Sequence, residues 1–185
     1  MDDDFGVRVA RLEAEAAIRR VASRYMALCD EPATDLPGLA FDALFTADLV
    51  WEGTGSKASG EFGRVEGRDR LLAWFDTMRT PPRYMFNVHF LTSEAIDVDA
   101  DAAIGTWVMF QFAVQHAGIG ELRIARLRIR FRIEEREWRI CHFQTESLFR
   151  TDLDAHRLAT LWGTMRVWPI SWKSCTPASP ARASR

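Results

Sequence analysis

Strict alternation of side-chain types in the second half of the chain restricts that half to β-structure. Between Leu122 and Glu135, arginines at positions 126, 128, 130 and 132 alternate with apolar residues at 127, 129, 131 and 133. Successive side chains of a strand point to opposite faces, so this segment presents one basic and one apolar face. Short turns separate it from three further alternating segments, which predict strands over 84–98, 103–115 and 138–149.

A change of phase inside the arginine-bearing segment predicts an irregularity in the sheet. Leu122 and Ile124 are out of phase with Leu127. We therefore expect a β-bulge near Ala125 and Arg126, which would bend the sheet.

Helical spacing precedes the strands. Apolar residues recur every three or four positions from Val7 to about Cys29, which predicts a first helix. The same criteria predict the remaining elements: helices over Leu36–Phe45 and Glu66–Met78, a strand at Leu49–Trp51, a loop over Gly53–Gly63 and a terminal helix over Asp152–Trp168.

Helices followed by four long strands predict an α+β fold. We expect a cone-shaped, bent antiparallel sheet with the helices packed on its concave face, which is the architecture of a cystatin-like α+β barrel. Such a cone encloses an apolar pocket for a small molecule. The length of 185 residues suggests one domain, predicted over residues 1–170. Residues 171–185 are rich in Ser, Pro, Ala and Arg and are predicted to be a disordered tail.

Composition narrows the functional classes. A net charge of -2 argues against a nucleic-acid binder. The first residues are acidic and the sequence has no long apolar run, so we expect no signal peptide and no membrane partner. Three widely spaced cysteines indicate reduced thiols, so the predicted location is cytoplasmic. Metal-binding and nucleotide-binding motifs are absent, so we expect no metal and no cofactor.

Asp30 and His89 are the leading candidates for chemistry. Asp30 lies at the predicted C-terminal end of a helix, where the dipole disfavours a carboxylate. His89 lies in a strand among apolar residues, where it would be a group able to exchange protons near neutral pH. Structural roles remain open: Asp30 can face solvent or cap a turn, and His89 can be a satisfied core residue. Tyr25, five residues before Asp30, is either a core residue or a third site residue.

The predicted pocket walls around His89 are mainly aromatic. The expected substrate-binding residues are Trp51, Trp74, Met85, Asn87, Leu91, Trp107, Phe110 and Glu146. Because no cationic side chain is among them, we expect strongly charged substrates to be rejected.

Several segments together resemble a known family. The quoted segments are RYMALCD at 24–30, LFTADLVWEG at 44–53, GRVEGR at 63–68, NVHF at 87–90, GTW at 105–107 and REWRI at 136–140. In this order and spacing, they resemble SnoaL-like domains over about residues 8 to 150. These domains belong to the superfamily of scytalone dehydratase, ketosteroid isomerase and nuclear transport factor two.

The resemblance implies roles for three residues. Asp30 and His89 match the positions of an Asp–His dyad in scytalone dehydratase, hexachlorocyclohexane dehydrochlorinase and the bacterial bile-acid dehydratase, and Tyr25 matches a tyrosine of the last. Those enzymes also carry an arginine on the last strand after a tryptophan. Here Phe143, Gln144 and Glu146 occupy that region, and Arg150 is out of register.

The resulting expectation is a cofactor-independent lyase, dehydratase-like, acting on a small apolar or polycyclic molecule. His89 would be the base, Asp30 its orienting partner and Tyr25 a hydrogen-bond donor. The alternatives are an isomerase or polyketide cyclase with the same site, and a non-catalytic ligand-binding or assembly subunit. Because relatives associate through the sheet, and the basic face of Arg126–Arg132 is either solvated or covered, we expect a homodimer or homotrimer.

Overall fold

Two helices and six strands make up most of the described chain. The structure, a computed structural model, describes residues 2–30, 41–54, 63–79 and 81–153. The elements in chain order are α1 (Asp2–Asp30), a 3-10 turn (Asp42–Leu44), β1 (Phe45–Thr54), β2 (Arg64–Glu66), α2 (Arg68–Arg79), β3 (Tyr84–Asp99), β4 (Ala102–Gln115), β5 (Gly120–Glu134) and β6 (Glu137–Leu153).

The six strands form one open sheet in the order β2-β1-β6-β5-β4-β3. The four long strands are antiparallel neighbours, as the alternation predicts. β1 lies parallel to β6. The sheet is therefore mixed, and the expectation of a wholly antiparallel sheet is wrong for this pair of strands. The α+β cone predicted from the sequence is confirmed.

The core lies between α1 and the inner face of the sheet. Ile18, Ala22 and Tyr25 are buried on the helix at the three- and four-residue spacing that places them on one side. They belong to one apolar cluster with Ile129 and Phe131, which alternate with exposed arginines along β5. The arginine-bearing face of β5 is therefore the outer face of the sheet.

The predicted boundaries shift most before residue 80. The helix expected over Leu36–Phe45 is wrong in its described part, because residues 42–44 form a 3-10 turn and Phe45 begins β1. β1 is longer than the predicted strand and extends to Thr54, inside the predicted loop. Glu66 pairs with Val50 in β2, which the sequence analysis missed, so α2 begins at Arg68.

The predicted bulge lies at the expected level of the sheet but on the neighbouring strand. Ile124 pairs with Phe149 and Ala125 pairs with Ser147, so Leu148 on β6 is the extra residue. β5 itself runs in unbroken register with β4. The apolar pattern of β5 changes phase near its start because Glu121 and Arg123, rather than apolar residues, occupy the inner positions there.

The end of β6 replaces the start of the predicted terminal helix. Asp152 and Leu153 pair with Glu121 and Gly120, which makes them strand residues. The rest of that predicted helix and the predicted tail at 171–185 lie outside the described residues. In the part of the chain that the structure describes, neither helix has the length and apolar character needed to cross a bilayer.

Gly105 provides a test of core packing. The six-membered ring of Trp107 lies where a Cβ on residue 105 would project. Trp107 is 2% exposed, and its indole N–H donates to the Glu94 carboxylate at 3.2 Å. We predict that Gly105→Ala lowers the free energy of unfolding by about 1–3 kcal/mol, because the indole must leave a packed position. Denaturant titration measures this change.

Gly6→Ala is the matched control for that substitution. A Cβ at Gly6 in α1 meets no atom within 4 Å, and alanine favours helix. Its stability should stay equal or rise. Equal stability of the Gly105→Ala variant and the wild type would contradict the packing described for Trp107.

Candidate active site

The C-terminal end of α1 brings Asp30 against His89 on the edge strand β3. The Asp30 Oδ1 atom lies 2.5 Å from His89 Nδ1, and Asp30 Oδ2 accepts the backbone N–H of His89 at 3.2 Å. Edge strands have N–H groups that the sheet does not use, and Asp30 satisfies one of them. An ionised carboxylate only accepts hydrogen bonds, so it selects the tautomer with the proton on Nδ1 and the lone pair on Nε2. This arrangement can accept a proton at Nε2.

A second pair of hydrogen bonds fixes the same helix end. The Asn87 side-chain amide donates to the backbone carbonyl of Cys29 at 3.0 Å, and Gln111 on β4 donates to Asn87 Oδ1 at 2.7 Å. Carbonyls in the last turn of a helix have no partner within the helix, and Asn87 supplies one. The position of Asp30 thus depends on side chains from two strands.

Tyr25 lies on the buried side of α1, one turn and a half before Asp30. Its ring is 5% exposed and lies 4.8 Å from the ring of Phe143, centre to centre. Burial, followed by the charge of Cys29, raises the pKa of Tyr25 well above its usual value. The phenol therefore stays protonated and keeps an O–H group that can donate a hydrogen bond.

These three residues share a cavity of about 180 Å³ between the helices and the inner sheet face. Of the residues expected in its walls, Trp51, Trp74, Met85 and Asn87 also line it. The other lining residues are Met26, Leu28, Cys29, Phe75, Met78, Arg83, Tyr84, Phe86, Met109, Gln111, Arg123, Leu127, Phe143 and Thr145.

Four residues expected in the pocket do not line it. Leu91 and Trp107 point to the inner side but pack into the core away from the cavity. Phe110 is on the outer face, with its ring 6.3 Å from that of Phe90. Glu146 is also on the outer face, where it pairs with Arg126 at 2.6 Å.

The polar run of β6 lies on the outer face and adds nothing to the pocket. His142 Nε2 lies 2.9 Å from the Glu52 carboxylate, which also accepts from Arg64 at 2.6 Å. Burial raises the pKa of Glu52, but the hydrogen bonds from Arg64 and His142 outweigh it and hold the pKa below its usual value. Among the described residues, no three side chains of the His, Cys, Asp or Glu type are grouped so that they could hold a metal ion.

Sequence reasoning missed the polar end of the pocket. Gln111 and Arg123 line the cavity beside His89, and Arg83 joins them from the segment before β3. The register gives the reason: His89 pairs with Gln111, and Gln111 pairs with Arg123, so the three lie in one row across β3, β4 and β5. Counting back along β5 from Leu127 in steps of two places Arg123 on the inner face. A bulge was expected between these two residues, so the predicted alternation did not extend to Arg123.

Fold and site together define an α+β cone whose pocket contains a histidine–carboxylate pair. The chain belongs to the SnoaL-like domain family, which it matches over residues 10–144. None of the curated protein sequences compared with it matches.

Solved structures share this fold. A type 2 hexachlorocyclohexane dehydrochlorinase (LinA) is 19% identical with a TM-score of 0.66, covering 80% of this chain and 93% of its own. An NTF2-like protein with a cystatin-like fold from Novosphingobium aromaticivorans is 24% identical with a TM-score of 0.63, covering 79% and 89%. A provisionally assigned scytalone dehydratase from the same organism is 15% identical with a TM-score of 0.63, covering 78% and 90%. At such identities the likeness establishes the fold.

The contact between Asn87 and the helix end can be tested by stability. Asn87→Leu removes the donor to the Cys29 carbonyl and leaves the Gln111 amide without its acceptor. We predict a loss of about 1–3 kcal/mol in the free energy of unfolding, the cost of unsatisfied part-buried groups. The control is Thr92→Val on the same strand as Asn87. It removes an exposed hydrogen bond to the carbonyl of Val108 on β4 and should change stability by less than about 0.5 kcal/mol. Similar losses in both variants would contradict a special role for Asn87.

Proposed function

We propose that this protein is a cofactor-independent lyase that eliminates a leaving group from a small molecule, with His89 as the general base. The observation that carries this proposal is the contact between His89 and Asp30 in the wall of a largely apolar pocket. The His89 side chain is 10% exposed and that of Asp30 19%, so the pair is shielded but reachable from the cavity. A positioned histidine contributes about 10²–10⁴-fold to the rate of a proton transfer.

The proposed reaction is redox-neutral and needs only a proton acceptor and a donor. His89 Nε2 takes a proton from a carbon atom, and the electron pair of that C–H bond forms a new C=C bond. The leaving group on the adjacent carbon departs with its bonding pair. Asp30 stabilises the imidazolium that forms, through the bond to Nδ1.

Tyr25 is proposed to donate its O–H to the departing group or to an oxygen that gains charge. A neutral donor in a pocket shielded from water stabilises developing negative charge more than the same donor in water. Burial raises the pKa of Tyr25 and so keeps this proton on the phenol.

The comparisons supply independent support for elimination. One structure of this fold is a dehydrochlorinase and another is provisionally assigned as a scytalone dehydratase. An isomerase or polyketide cyclase would use the same base and return the proton elsewhere. A purely ligand-binding protein could use the Asp30 contact to hold the helix end against β3, so the turnover of the His89 variant separates this candidate from the lyase.

The cavity also limits the proposed substrate. A cavity of about 150 Å³ holds benzene in another protein, so about 180 Å³ accommodates one ring with short substituents. Trp51 and Trp74, with ring centres 5.3 Å apart, form an aromatic wall against which such a ring can pack. This favours a substituted single ring over a polycyclic molecule.

We predict that His89→Ala and Asp30→Asn each lower turnover at least about 10²-fold, and that Tyr25→Phe lowers it less. A panel of hydroxylated and halogenated ring compounds, read by mass spectrometry, separates loss of water, loss of hydrogen halide and isomerisation at constant mass. His142→Ala is the matched control, since this histidine also contacts a carboxylate but on the outer face. Equal losses in the His89 and His142 variants, or a loss explained by unfolding in circular dichroism, would contradict the proposal.

We further propose that the protein forms a homo-oligomer through the outer face of the sheet. Phe90, Phe110, Ile124 and Phe149 form one register row across β3, β4, β5 and β6 on that face. Phe90 is 52% and Phe149 47% exposed, which is unusual for side chains of this size. This row, rather than the arginine stripe, is the proposed contact: Arg126 and Arg132 already pair with Glu146 and Asp48.

Sedimentation velocity tests the oligomer. We predict a dimer or trimer at micromolar concentration, and a shift to monomer in Phe90→Asp/Phe149→Asp. The control is Phe5→Ser, which removes an exposed apolar side chain from α1, away from the sheet. A monomeric wild type, or an oligomer that persists in the double variant, would contradict this interface.

A further inference from the structure

A buried ionic cluster at the start of β5 borders the pocket. Glu121 is completely buried, and its Oε2 atom accepts from Arg123 Nη2 at 2.5 Å and from Arg123 Nε at 3.0 Å. Arg83 and Arg150 approach the same carboxylate at 3.9 and 3.7 Å, and Gln115 also donates to it. Three guanidinium groups thus share one carboxylate.

The bulge at Leu148 completes this cluster. By shifting the register of β6, it pairs Arg150 with Arg123 and turns Arg150 towards Glu121. Arg150, which is out of register with the arginine position of the related enzymes, therefore reaches the inner side of the sheet.

Two of the three arginines are in the pocket wall. Arg123 and Arg83 both line the cavity that contains His89. His89, Gln111 and Arg123 lie in one row across neighbouring strands, which are about 4.8 Å apart. The backbones at His89 and Arg123 are therefore separated by about 10 Å, with both side chains on the cavity side.

We propose that the substrate carries a carboxylate, which Arg123 and Arg83 bind two strands away from His89. This inference deepens the proposed function, because it assigns a substrate class, ring-bearing carboxylic acids, to the same pocket. The acidic C–H bond faces His89, the ring packs on the aromatic wall, and the carboxylate anchors the other end.

The geometry of Arg123 suits this role. A guanidinium has five N–H donors in a planar fork, and Glu121 accepts from the Nε and Nη2 atoms of Arg123. Glu121 also fixes the plane of the guanidinium before the ligand arrives, which lowers the ordering cost of binding. Arginine and carboxylate are both planar and form two parallel hydrogen bonds. Arg83, with a side chain 42% exposed beside the Tyr84 ring, supplies a second cation at the entrance.

This inference reverses an expectation from the sequence. The pocket was expected to reject charged substrates because its predicted walls contained no cation. The expectation is wrong in its premise, since Arg83 and Arg123 are both in the wall. An anion that leaves water for this pocket finds positively charged side chains there, which offset part of the cost of its desolvation.

Equilibrium binding tests the carboxylate site without requiring turnover. The probes are benzoate, phenylacetate and 3-phenylpropanoate at pH 7, each compared with its primary amide by isothermal titration calorimetry. The amides match the acids in shape but have no charge. We expect at least one acid to bind the full-length protein at least about tenfold more tightly than its amide.

Substitutions then locate the preference. Arg83→Gln should reduce it, and Arg83→Gln/Arg123→Gln should abolish it. The double variant removes both arginines of the pocket wall, and Arg150 and Gln115 still contact the buried Glu121 carboxylate, so that this charge is not left uncompensated. Arg126→Gln, an arginine of the same strand on the outer face, should leave the preference unchanged.

Each outcome decides the proposal. If no acid is preferred over its amide, or if the preference survives in the double variant, the carboxylate site is overturned. His89→Ala should retain the preference, because the anion contacts lie two strands away. If acids are preferred over amides but no turnover depends on His89, the lyase proposal is overturned and the carboxylate site stands. If turnover depends on His89 but acids are not preferred, the carboxylate site is overturned and the lyase proposal stands.

Discussion

Hydrogen bonds between the end of α1 and the edge strand β3 determine where the site lies. The carboxylate of Asp30 is at the negative end of the helix dipole, a position that is unfavourable by itself. Two donors from His89 offset this cost, one from the ring and one from the backbone. The carbonyl of the preceding residue accepts from Asn87. The end of the helix and the edge of the strand each have polar groups without a partner in their own element, and these groups form hydrogen bonds with one another. The pocket lies beside this contact.

Polarity changes along the inner face of the sheet, and this change separates core from site. Ile129, Phe131 and Phe143 are buried under α1 and hold the helix by apolar contact. Towards the start of β5 the same face carries Arg123 and Glu121, where burial demands partners for each charge. Arg83, Arg150 and Gln115 provide them from three other segments. The apolar end stabilises the fold, and the polar end contributes Arg83 and Arg123 to the cavity wall.

The outer face of the same strands has its own division. Arginines of β5 pair with acids on other strands, as Arg126 does with Glu146 on β6 and Arg132 with Asp48 on β1. Aromatic residues are exposed beside the Arg126 pair, where the register row of Phe90 and Phe149 crosses the sheet. Since side chains alternate along a strand, the residues that build the pocket and the aromatic residues exposed on the outer face are neighbours in sequence but lie on opposite faces.

The sequence by itself determined the four long strands, the first helix, the α+β cone and the candidacy of Asp30 and His89. These follow from periodicity, from the position of a carboxylate at a helix end, and from a family resemblance. Tertiary structure alone decided which polar residues meet. Arg123, Gln111 and His89 share a row because of strand register, and Arg150 faces Glu121 because Leu148 is bulged. Local spacing predicts the face of a strand only while its phase is known. Here charged residues occupy inner positions at the start of β5, so an apolar pattern could not report its phase there. Phe110 on β4 and Glu146 on β6 lie on the outer face and not in the expected pocket wall. Contacts between distant segments set those positions, and no local pattern contains them.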